Sequence, residues 1–137
     1  MAESDAFDLD KFDVRPLAQE GVDMELLDPS GAGTGVILIV RGYDSQAYKD
    51  VVEAQLRRRT AQLPRKPTEE ESRMEFYSEN AALLAGWKGR PLTRGGKPVE
   101  YSQPNAAQLL QDYDYILEQV RRFAGNRRNF LPGSATS

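Results

Sequence analysis

Cysteine and histidine are both absent from the 137 residues. The first absence excludes a disulfide framework and a thiol nucleophile. The second removes the commonest general base and, with cysteine gone too, the commonest zinc ligands. Catalysis by carboxylates, lysine or tyrosine is all that is left. The expectation is therefore a protein that is not an enzyme, with no catalytic, cofactor or metal site. Apolar residues make up only 39% of the chain and aromatics 9%. The longest apolar run, VILIV at residues 36–40, is strand-sized and far below the roughly 20 residues of a membrane span. No membrane partner is expected. The opening MAESDAFDLD is acidic and lacks the apolar segment of a secretion signal, so the expected location is cytoplasmic.

What is present is charge, and it is uneven. Residues 1–28 hold nine acids against Lys11 and Arg15, whereas the remainder holds sixteen bases against twelve acids. An acidic leading segment on a mildly basic body either solubilises the chain or competes for the body's partners.

Residues 99–131, VEYSQPNAAQLLQDYDYILEQVRRFAGNRRNFL, carry the start and stop signals of one long helix. Ser102 is an N-cap, with Asn105 three residues on and Pro104 in the first turn. Leu109, Tyr113, Ile116, Val120 and Phe123 follow at spacings of four and three, which draws one apolar stripe. Arg121 and Arg122 suit the last turn and Gly125 ends it. From Gln103 to Ala124 such a rod is about 33 Å long at 1.5 Å per residue. Ordering that backbone costs more than five stripe residues recover by burial, so the stripe needs a surface to lie on.

In chain order, the first few residues read as disordered, and the rest of the arm as packed through Phe7 and Phe12, with Pro16 ending any regular element. VDMELL (residues 22–27) alternates as a half-buried strand should. DPSGAGTG (28–35) is a loop, and VILIV reads as a strand with both faces covered. Together they predict a β-hairpin. Residues 46–63, capped by Asp44 or Ser45, form a helix with a thin stripe: Tyr48, Val51 or Val52, Gln55 or Leu56, Arg59 and Leu63. After the linker PRKP (64–67), Thr68 opens a capping box with Glu71. The helix it starts carries Met74, Tyr77, Ala81 and Leu84 and is expected to stop at Gly86. Residues 86–98 form a connection that lays Trp87 and Leu92 on the core.

Candidate chemistries fare poorly against packing. Gly31, Gly33 and Gly35 precede a strand rather than the helix that a phosphate loop requires. Gly95–Gly96–Lys97 is followed by Pro98, not Ser or Thr. Asp112 and Asp114, two apart on a helix, diverge by about 200° and cannot share a metal or water. Arg57, Arg58 and Arg59, with Arg121, Arg122, Arg127 and Arg128, raise nucleic acid. Successive helical arginines fan out, however, and the protein is net acidic. An acidic protein partner is the other use of such arginines, through paired hydrogen bonds to a carboxylate. Tyr115, Phe130 and Leu131 are left over once the stripe is filled, and such side chains serve as interface anchors.

The order of these features resembles a known family. RGYDS (41–45) leads from a hairpin into an arginine-rich helix, and a second helix reaches Gly86–Trp87. VEYSQPNAAQLL then opens the closing helix, which ends in EQVRRFAGNRRNFL. From residue 22 to 131 this looks like the tail assembly chaperones of long-tailed bacteriophages. The resemblance implies a protein that coats the long helical tape-measure protein in the host cytoplasm and keeps it soluble. It also implies recruitment of tail-tube protein, and absence from the mature virion.

The expected architecture is α+β: an N-terminal β-hairpin or small antiparallel sheet packed against about three α-helices, the C-terminal helix longest. Residues 1–20 form an acidic, partly disordered arm, 21–131 a single domain and 132–137 a flexible tail. Concentration-dependent self-association is expected. Partner contacts are expected at Tyr115, Arg121, Arg122, Arg127, Arg128, Phe130 and Leu131. Two other readings are a structural head–tail or tail component and a small nucleic-acid-binding regulator.

Overall fold

The computed structural model describes residues 5–133. The fold is α+β, a three-stranded antiparallel sheet with helices and a small second sheet. A 3₁₀ turn (Leu9–Phe12) precedes α1 (Arg15–Glu20), β1 (Val22–Leu27), β2 (Gly33–Val40), α2 (Gln46–Gln62) and α3 (Glu69–Ala81). Then come β3 (Leu84–Gly89), the two-residue strands β4 (Thr93–Arg94) and β5 (Lys97–Pro98), α4 (Gln103–Asp112), α5 (Asp114–Ala124) and a 3₁₀ turn (Arg127–Phe130). The disorder expected of the first few residues and the flexibility expected at residues 134–137 lie outside the described residues.

Local chemistry accounts for the helix starts. Ser45 Oγ accepts from the Tyr48 amide, Thr68 and Glu71 close a capping box, and Ser102 Oγ accepts from the Asn105 amide at 3.1 Å. The glycine loop is a hairpin connection. Its amide donors at Ser30 and Ala32 are already taken by the Asp28 carboxylate, at 2.8 and 3.1 Å, so the loop holds its own anion.

Three expectations are corrected. The helix begun at Thr68 ends at Ala81, and Leu84–Gly89 is a strand, pairing Leu38 with Trp87 and Ile37 with Lys88. β2 thereby becomes the centre of the sheet, and the bare edge that the two-stranded reading left is satisfied within the chain. The closing rod is two helices. Tyr113, at φ −128° and ψ 93°, ends α4 and begins α5, so that both are shorter than α2. The break lets α4 bury Ala106, Leu109 and Leu110 while α5 buries Ile116, Val120 and Ala124 in the same core. Finally, β2 is covered on one face. Val36, Leu38 and Val40 belong to the core, whereas Ile37 and Ile39 are half-buried and lie outside it.

The N-terminal segment also differs from expectation. Pro16 starts α1 instead of ending an element, which its fixed φ permits in a first turn. Phe7 and Phe12 do not reach the core; they stack on each other at 5.1 Å and stay exposed. Ala18, with Val14 and Leu17, makes the contact instead, in a second small cluster with Val22 and Phe130.

The RGYDS segment is the joint of the fold. The Arg41 amide donates to Leu83 O at 2.6 Å and its guanidinium to Gln19 O at 3.0 Å. Asp44 holds Arg127, and Ser45 caps α2. Gly42 lies so close to its neighbours that a Cβ there would be 3.1 Å from both Ala18 and Phe130.

Candidate interaction surface

The seven residues expected to meet a partner come from α5 and the turn after it, and they do not form one surface. Phe130 is 1% exposed and sits under α1, edge-to-face with Phe123 at 5.8 Å. It is a core residue, because the 3₁₀ turn rotates it inward after Gly125 has ended the helix. Leu131 is half-buried. Tyr115 is also half-buried against the main core, edge-to-face with Tyr113. Arg121 donates from Nε to Tyr43 Oη at 3.3 Å and lies over the Phe76 ring at 5.3 Å. Arg127 makes a two-pronged contact with Asp44, at 2.7 and 3.1 Å, and holds that carboxyl below its usual range. These two arginines clamp the RGYDS segment to the C-terminal helix.

Arg122 and Arg128 remain exposed. Arg122 lines an open groove of about 330 Å³ beside β1, with Met24, Leu27, Phe123 and Asn126. The end of that strand is capped by a side chain. Gln119 accepts from the Leu27 amide and donates to its carbonyl, both at 2.9 Å, as a paired strand would.

The surface that sequence reasoning passed over is the α2–α3 hairpin. None of the 17 residues of α2 is buried. Val52, Leu56 and Leu63 are exposed, the last two at 66% and 69%, and Met74 of α3 is exposed as well. At 100° per residue the first three fall within an arc of about 40° on one side of the helix. Polar contacts tie α2 to α3. Gln55 donates to Glu75 O at 2.9 Å, Arg58 and Arg59 both meet the Glu75 carboxylate, and Arg65 meets Glu71 at 2.9 Å. The thin stripe at Tyr48, Leu56 and Leu63 was the available signal. Periodicity marks such a stripe without telling whether the chain itself covers it.

The same contacts dispose of much of the free basic charge. Arg58, Arg59 and Arg127 are ion-paired within the chain. Arg57 lies 4.0 Å from Glu53. One turn beyond Glu75 on α3, the half-buried Glu79 has its carboxyl pushed up by burial, and further by Glu75, against the pull of Arg121.

The hairpin therefore responds to acid. A hydrogen bond from Arg65, then one from the Thr68 amide, brings Glu71 from 4.5 to about 2, and Arg59 lowers Glu75. A carboxyl lowered on folding stabilises above its unfolded pKa and ceases to do so as pH falls through its folded value. Glu79 acts in the opposite sense. The expected result is loss of helical circular dichroism on acidification from pH 4.5 toward 2, recovered on neutralisation. The transition should be shallower in Arg65→Ala, and an unchanged pH profile in that variant would refute the assignment.

Residues 43–135 match the model of a family described as YdaY prophage protein. The match starts inside RGYDS and takes in α2 through α5, about two-thirds of the chain. No curated protein and no solved structure matches the chain.

Proposed function

Because the chain belongs to the YdaY prophage protein family and is thus phage-derived, we propose that it works as a tail assembly chaperone. In this reading it binds the phage tape-measure protein, keeps it soluble in the host cytoplasm and helps recruit tail-tube protein. It leaves before the virion is complete. One observation carries the reading: a 17-residue helix is displayed with no buried residue and with large apolar side chains turned to solvent. A helix so placed is suited to lie along another helix, with apolar anchors every one or two turns. The resemblance of the chain's order of motifs to tail assembly chaperones supplies the kind of partner.

The test is coexpression with the tape-measure protein. Wild-type chain should hold it in the soluble fraction. Leu56→Ser/Leu63→Ser/Met74→Ser should lose most of that effect while unfolding at an unchanged temperature, because all three sites are exposed. Equal solubilisation by the variant would remove the hairpin from the reading. Recovery of the chain from purified particles would replace the reading with that of a structural tail component. Binding to DNA that falls steeply with salt would replace it with that of a nucleic-acid-binding regulator.

A further inference from the structure

β1 has β2 on one side only, so its other side is an edge of the sheet. In an antiparallel strand the backbone groups of successive residues point to opposite sides. The Arg90 amide donates to Gly35 O at 2.9 Å, so Gly35, Ile37 and Ile39 of β2 turn their backbone groups toward β3. Those of Leu38 and Val40 then face β1 and engage Met24 and Val22. The N–H and C=O of Asp23 and Glu25 are left pointing away from the sheet. Leu27, past a bulge, points the same way, and Gln119 fills both of its groups at 2.9 Å. The opposite edge is covered from residues 99–103. Leu84 O accepts from Tyr101 Oη at 2.7 Å and from Gln103 Nε2 at 3.1 Å, and Trp87 donates to Val99 O.

The two faces beside the β1 edge differ. On the outer face Asp23 is paired with Lys88 at 2.9 Å. Glu25 is exposed and meets no cation among the described residues; its carboxylate accepts from the Gly35 amide at 3.0 Å. On the inner face lies the groove of about 330 Å³, with Met24 and Phe123 as apolar wall. The exposed Arg122, which has no ion pair among the described residues, also lines it. A second copy is a poor occupant of this edge. Antiparallel pairing of β1 with a twin, centred on Met24, would set Asp23 opposite Glu25 twice, and like charges directly opposite work against pairing.

We propose that the β1 edge docks an extended segment of another protein, which adds a fourth strand to the sheet. Backbone hydrogen bonds to Asp23 and Glu25 supply the affinity, and side chains on alternate faces supply the choice of partner. The residue opposite Glu25 is a lysine or arginine. Its neighbour, opposite Met24, is apolar and enters the groove over Phe123. Arg122 repels a cation from the groove side, so the two faces of the incoming strand are told apart and its register is set. Gln119 marks where the added strand must stop. The site is built from β1 and α5 and shares no residue with the α2–α3 surface, so it can fail without the chaperone reading, and that reading without it.

The probe is the peptide acetyl-Ser-Lys-Ile-Thr-Val-Ser-amide, titrated to millimolar concentration into the full isotope-labelled chain and followed by NMR. Antiparallel to β1, its lysine stands opposite Glu25, its isoleucine opposite Met24 and its threonine opposite Asp23. The Asp23 and Glu25 amide resonances should move and exchange with solvent more slowly, while those of α2 stay in place. Methylating the lysine and threonine backbone nitrogens of the peptide should abolish the effect. Glu25→Gln, which keeps the acceptor for Gly35, should weaken binding about two- to fivefold. A peptide with glutamate for lysine should bind the wild type worse and Glu25→Lys better. Leu56→Ser/Leu63→Ser/Met74→Ser should bind the peptide as the wild type does. A peptide that moves no β1 amide overturns the proposal, as does a methylated peptide that binds equally or a glutamate peptide that binds the wild type as well. Protection of Asp23 and Glu25 that grows with protein concentration alone also overturns it, in favour of a second copy.

Discussion

Phe130→Ala should destabilise the protein by about 3–5 kcal/mol, the usual cost of truncating a buried phenylalanine. The ring is among the largest fully buried side chains. It is packed between Phe123, Ala18 and the backbone of Gly42. Removing it opens a void where α1, the RGYDS segment and the C-terminal turn meet. For a domain of this size the melting temperature should fall by roughly 10–20 °C. Leu131→Ala, at a half-buried position, should cost much less. Denaturant titration of both variants separates the two residues. A Phe130→Ala protein of wild-type stability would mean that the C-terminal turn does not dock under α1. The sequence led to the opposite expectation, an interface anchor, because the residue follows a helix stop. A stop says where a helix ends, and it does not say where the chain goes next.

Gly89→Ala should be nearly as damaging, at about 2–4 kcal/mol. Gly89 has φ +80°, a conformation that an L side chain enters at a cost. A Cβ there would also sit 2.6 Å from the carbonyl oxygen of Gly35. That neighbour is backbone, so neither strand can yield without moving β3 away from β2. The substitution should lower stability and speed hydrogen exchange of the β3 amides ahead of those of α5. Gly95→Ala provides the control, since its Cβ would meet nothing within 4 Å. Equal losses at both positions would show that positive φ alone, and not the contact with β2, sets the cost.

The candidate surface was legible only in part. Arginines 121 and 127 stood out in the sequence, yet they are committed to Tyr43, Phe76 and Asp44, residues about 45 to 80 positions away. Leu56 and Leu63 looked like an ordinary thin core stripe. They are displayed because α3, which meets α2 through Glu75 and Glu71 among other residues, leaves that side of the helix uncovered.

By itself the sequence determined the α+β class, the hairpin of β1 and β2, and the starts of α2, α3 and α4. These depend on contacts a few residues apart: a hydroxyl capping an amide, alternation along a strand, a glycine loop. Only the tertiary structure decided that residues 84–89 extend to pair with β2, that the closing rod breaks at Tyr113, and that Phe130 turns inward. Each of those outcomes is set by what lies opposite in space. The same tyrosine or leucine completes a helical stripe or ends a helix according to a neighbour that its own segment does not contain.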